Sequence, residues 1–186
     1  MSGRDPFQPG NRWRKAVAIG ALGVIATLGA TMGVVAPLHE DSNQDELRGG
    51  VVSDFYRIEH AAQAYVKDTG DFPGPAFDLS GGYDGGLSKR ASAPRRQQAA
   101  WKGPYLDPAP ARPTRQSFWS LAEPQSLEDA DHDGQADELW ARLHRGYGEL
   151  DDGTAAWLDQ VLDDGQPGTG KVRVTPTWIW FKLLER

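Results

Sequence analysis

The 186 residues contain no cysteine. Disulfides, thiolate metal sites and a cysteine nucleophile are therefore excluded. Histidine is scarce, and His39, His60, His132 and His144 show no metal-ligand spacing. No G-x-S-x-G elbow, phosphate loop or H-E-x-x-H occurs. Positive charge is also in deficit: 20 Lys and Arg stand against 26 Asp and Glu, a formal net charge of -6. That balance argues against bulk attraction to nucleic acid. Enzymatic activity is not expected.

Charge is missing altogether from Ala16 to Leu38. A helix over this run would be roughly 35 Å long at about 1.5 Å per residue, enough for a hydrocarbon core of about 30 Å. Arg12, Arg14 and Lys15 precede it, and His39, Glu40, Asp41, Asp45 and Glu46 follow. The positive-inside rule then places residues 1–15 in the cytoplasm and the remainder outside. A cleaved signal peptide is the competing reading. Its apolar region would be too long, and Pro37 follows the best small-residue site, Val34–Ala36. Gly29 and Gly33 form a small-xxx-small pair of the kind that lets membrane helices pack closely, although glycine is common in such helices generally.

Beyond Arg48-Gly49-Gly50, the residues Phe55, Ile58, Ala62, Tyr65 and Val66 recur at helical spacing. The pattern predicts a helix over Val51 to Asp68, with Ser53 as a plausible N-cap and Gly70 just past the end. The two glycines are expected to melt or kink it locally, at about 1 kcal/mol each relative to alanine.

Three phrases carry a family resemblance. The run from Asp54-Phe55-Tyr56-Arg57-Ile58-Glu59-His60-Ala61 through Tyr65 to Asp71-Phe72-Pro73 resembles the distal half of the N-terminal helix of type IV pilin-like proteins. Trp101-Lys102-Gly103-Pro104-Tyr105-Leu106 resembles the W-x-G-P-Y-L phrase of type II secretion major pseudopilins. The run from Leu158-Asp159 through Leu162-Asp163-Asp164-Gly165 to Gly170-Lys171-Val172-Arg173 is similar to a phrase near the end of some minor pilin-like proteins. The resemblance implies a structural subunit of a pilus or pseudopilus-like assembly. It would be anchored in the inner (cytoplasmic) membrane, with other pilin-like subunits and inner-membrane assembly components as partners. One departure stands out: Gly10 is followed by Asn11, Arg12, Trp13, Arg14 and Lys15, with no glutamate at the fifth position after the glycine. Prepilin peptidase processing is thereby put in doubt. The rival reading is a membrane-tethered, calcium-dependent binding module that does not polymerise.

The expected fold is α+β. A long N-terminal helix, with a membrane-spanning half (16–38) and an extramembrane half (39–70), packs on a small antiparallel sheet with long loops in a head over 71–186. Residues 74 to 116 read as loop, with glycine and proline punctuation. Lys89, Arg90, Arg95 and Arg96 are the only hint of a nucleic-acid contact, set against an ordinary solvated loop, and they lack interleaved aromatics. Gln116–Ala122, Glu138–His144, Lys171–Val174 and Thr177–Leu184 read as strands. Glu138–His144 also fits a helix. Thr154–Leu162 reads as a short helix capped by Asp152 or Thr154, with Leu158, Val161 and Leu162 facing inward. Asp151-Asp152-Gly153 and Asp163-Asp164-Gly165 read as acidic turns beside that helix. The seven tryptophans are candidates for interface anchors or for core packing.

The strongest chemical signal is the loop at 129–138. Asp129, Asp131 and Asp133 occupy positions one, three and five of a calcium-type loop, with Gly134 at the sharp turn. Gln135 supplies a backbone carbonyl at position seven, and Asp137 acts at position nine. Trp140 stands at position twelve, where a bidentate glutamate is usual, so a further ligand would come from Asp107, Glu123 or Glu128. Calcium is the expected ion; the alternative is an acidic turn that binds nothing. A late-loop calcium site in major pseudopilins adds to this through the resemblance.

Overall fold

The computed structural model describes residues 42–81, 84–122 and 137–185. The expected membrane segment 16–38 and most of the acidic loop, Asp129, Asp131, Asp133 and Gln135 included, lie outside them. Among the described residues, no helix is long and apolar enough to cross a membrane. From Glu46 onward the chain forms one compact unit.

Helix α1 covers residues 42–69 of the described chain. It passes through Gly49 and Gly50, so the expected local break is corrected. A Cβ at either glycine would meet nothing within 4 Å, so no close approach demands them. Their propensity cost is offset by the side chains just downstream. Val51, Phe55, Ile58, Ala62 and Tyr65 are all buried on one face, each large apolar side chain contributing about 1.5–3 kcal/mol. Ser53 is an exposed mid-helix residue, not the N-cap. Gly70 ends the helix as expected, with φ +73° and its N–H donating to the Val66 carbonyl at 2.8 Å.

The sheet has four antiparallel strands: β1 Trp119–Leu121, β2 Glu138–His144, β3 Val172–Val174 and β4 Trp178–Glu185. Their spatial order is β1-β2-β4-β3. The fold is therefore α+β. In β4 the alternation is clean: Ile179, Phe181 and Leu183 are buried, while Trp178, Trp180 and Lys182 are half-buried. The inward set meets α1, with the Phe55 and Phe181 rings 5.3 Å apart and Trp119 5.2 Å from Phe181. Strand β2 is covered on both faces: Leu139, Ala141 and Leu143 face the core, and Trp140 on the other side lies beneath Arg173 and Lys182. That double coverage explains its helix-like pattern in sequence.

Helix α2 spans Asp152–Leu162. Its N-cap is Asp151, whose Oδ1 accepts from the Thr154 N–H at 2.7 Å, rather than Asp152 or Thr154. Leu158 is buried and Leu162 packs against the core, but Val161 is 52 % exposed and does not face inward. The inward position one residue past Leu158 belongs to Asp159.

Candidate functional site

The W-x-G-P-Y-L phrase acts as a clamp on the end of α1. Trp101 Nε1 donates to the Gly86 carbonyl at 2.6 Å, and the Tyr105 N–H donates to Leu87 at 2.7 Å. The Tyr105 hydroxyl lies 3.1 Å from Asp68, and Lys102 pairs with the same carboxylate at 3.0 Å. The Lys102 bond, with help from Tyr105, holds the Asp68 carboxyl below its usual range. Gly103 is required where the Trp101 and Tyr105 rings meet edge to face, because a Cβ there would fall 2.7 Å from each. Beneath the clamp, the Tyr65 hydroxyl donates to Gln97 Oε1 at 2.6 Å, and Gln97 Nε2 donates to the Phe72 carbonyl. Burial, then Tyr105, Asp71 and Asp84, push the Tyr65 phenol up to about 12. The long loop is thus pinned by side chains rather than by regular elements.

Of the predicted calcium ligands only Asp137 is described, half-buried and immediately before β2. Asp107 is exposed, and Glu123 and Glu128 lie outside the described residues. Lys89, Arg90, Arg95 and Arg96 are all exposed. Arg96 is committed to Asp71 at 2.6 Å.

The outer face of the sheet interleaves rings and cations. Arg142 lies over both Trp178 and Trp180, at 5.0 and 5.2 Å from the ring centroids. Arg173 and Lys182 both lie over Trp140, which is fully buried. Lys182 also pairs with Glu138 and Glu185. Each such contact contributes about 0.5–2 kcal/mol depending on its exposure.

At the C-terminal end of α2, carboxylate oxygens of Asp159, Asp163 and Asp164 lie within 4.8 Å of one another. Asp159 and Asp163 are one helical turn apart, so they share a face. Asp163 Oδ2 accepts from the Val172 N–H at 3.0 Å. Asp164 accepts from the Gln166 N–H at 2.8 Å and from Thr169 Oγ1 at 3.2 Å. Asp159 is 0 % exposed, and neither of its oxygens has a hydrogen-bond partner. Burial, then the Asp164 and Asp163 charges, raise its carboxyl above the ordinary range. In sequence Asp163-Asp164 reads as an acidic turn, and the four-residue spacing of Asp159 and Asp163 is the signal that joins Asp159 to it.

No protein-family model matches this chain, and no curated protein or solved structure matches it.

Proposed function

We propose that this chain is a non-catalytic structural subunit of a pilus or pseudopilus-like assembly. The observation that carries the reading is α1: an amphipathic helix, its apolar stripe buried on an antiparallel sheet, directly downstream in sequence of the uncharged run 16–38. The clamp by Trp101 and Tyr105 at the helix end supports it, because it gives the quoted phrase a mechanical role. In this reading the apolar run anchors the chain in the inner membrane, with the N-terminus cytoplasmic and the head extracytoplasmic. Association runs through the helices, with Gly29 and Gly33 at the contact. Calcium stiffens the acidic loop through Asp129, Asp131, Asp133, Gln135 and Asp137.

A second reading is favoured by the basic residues after Gly10 and the missing glutamate. Here the chain stays tethered and monomeric, and acts as a calcium-dependent binding module. Crosslinking in membranes separates the two. Assembly predicts multimers that Gly29→Leu abolishes, and recovery of the protein in sheared surface filaments. A strictly monomeric, membrane-retained chain refutes assembly and supports the tether. Mass spectrometry of the mature N-terminus then reads whether the leader is removed.

A further inference from the structure

We infer that Asp159, Asp163 and Asp164 form a second calcium site, at the C-terminal end of α2 and separate from the loop at 129–138. The inference does not depend on whether the chain assembles.

The decisive group is Asp159. Its side chain is fully buried, carries two unpartnered oxygens, and presents one of them to the carboxylates of Asp163 and Asp164. An ionised carboxylate buried without a partner costs several kcal/mol, so a fold either neutralises it or supplies a cation. A proton on Asp159, shared with a neighbouring carboxylate, would remove one charge and leave the other two. The charges of Asp163 and Asp164 would then be met only by neutral donors, the Val172 and Gln166 N–H groups and Thr169 Oγ1. One divalent cation offsets all three charges at once.

No basic side chain of the protein fills this role among the described residues, since none of the three carboxylates makes an ion pair. Lys171, Arg173 and Lys182 line the neighbouring cleft with Asp163. Arg173 and Lys182 are engaged with Trp140, and Lys182 also with Glu138 and Glu185.

The donor set names the ion. All three ligands are hard oxygens, which excludes ions that prefer nitrogen or sulfur. Two opposed calcium–oxygen bonds span about 5 Å, and one oxygen from each of the three carboxylates lies within 4.8 Å of the other two. Magnesium requires near-ideal octahedral geometry and gives up its waters reluctantly, so three clustered carboxylates suit calcium better. Water completes the shell on the exposed side, where Asp164 stands. Gly170 keeps the site open: a Cβ there would collide with the Asp163 carboxylate.

The test uses the full chain in detergent, carrying Asp131→Ala so that the loop at 129–138 does not contribute. Calcium chloride is titrated calorimetrically, with magnesium chloride as the second arm. We expect one saturable calcium site with a Kd of about 0.1–1 mM, in the range of extracellular modules. The melting temperature should rise by about 3–10 °C in about 10 mM calcium. Adding Asp159→Asn should abolish both responses and raise the metal-free melting temperature, because the buried charge is gone. Adding Asp164→Asn, at an exposed position, should weaken binding at least about tenfold, and it decides the matter if Asp159→Asn does not fold. Absence of calcium heat, a response that survives Asp159→Asn, an unchanged affinity in Asp164→Asn, or tighter binding of magnesium would each overturn the inference.

Discussion

Deleting one oxygen at Tyr65 probes the junction of helix, loop and clamp together. The ring is 0 % exposed and its hydroxyl donates to Gln97 Oε1 at 2.6 Å. Tyr65→Phe removes that donor and strands a buried amide oxygen, at a cost of about 1–3 kcal/mol near neutral pH. The same substitution has a pH signature. The folded phenol titrates at about 12 against an ordinary 10.0, chiefly because it is buried. The neutral form is therefore the one the fold favours. Its stabilisation is complete below pH 10 and is lost as pH rises from there through about 12. One pKa unit corresponds to about 1.4 kcal/mol, so the unsubstituted chain should give up about that much through this group by about pH 11. Tyr65→Phe has nothing to ionise there. Urea unfolding of both chains at about pH 8 and about pH 11, in the same detergent, yields a double difference in which the lysines and the other tyrosines cancel. The gap between the two chains should narrow by about 1.4 kcal/mol at the higher pH. An unchanged gap refutes the reasoning.

Gly103→Ala should break the clamp, because the new methyl falls 2.7 Å from both the Trp101 and Tyr105 rings. The expected loss is about 1–3 kcal/mol, with faster hydrogen exchange at the Tyr105 and Leu106 amides that bond Leu87. Asp151→Ala should cost about 1 kcal/mol as a lost N-cap. The bonds from Thr154 hold the Asp151 carboxyl below its ordinary value of 3.8, so the cap contributes above about that pH and is lost as pH falls through the lower folded value. Unfolding followed from pH 7 down into the acid range should therefore show the penalty of Asp151→Ala shrinking at the acid end.

Much of the head was legible because periodicity reports burial on one face. The stripe of Phe55, Ile58 and Tyr65 marked the buried side of α1, and the run Thr177–Leu184 marked β4, whose Ile179, Phe181 and Leu183 are buried. The reading weakened wherever burial was two-sided or polar. Strand β2 fitted two patterns because both of its faces are covered. The strand expected over Gln116–Ala122 narrows to Trp119–Leu121, with Phe118 and Ala122 each adding one backbone bond to β2 at its ends. Propensity misled at Gly49 and Gly50, where downstream packing outweighs the glycine penalty. The burial of Asp159 is not legible in sequence, because an aspartate on a core-facing helix position contradicts the apolar pattern that marks a core.

Both borders of the sheet are spoken for. Each outer strand is three residues long. Along β1, the N–H and carbonyl of Leu121 bond Ala76, and the carbonyl of Trp119 accepts from Leu79. Along β3, the Val172 N–H goes to Asp163 and the Val174 N–H to Pro167. A second polypeptide arriving as an extra ribbon would find short stubs whose hydrogen-bonding capacity is already engaged. Recruitment by backbone zippering at these two edges is thereby discouraged, and a neighbour of the sheet is met there through side chains.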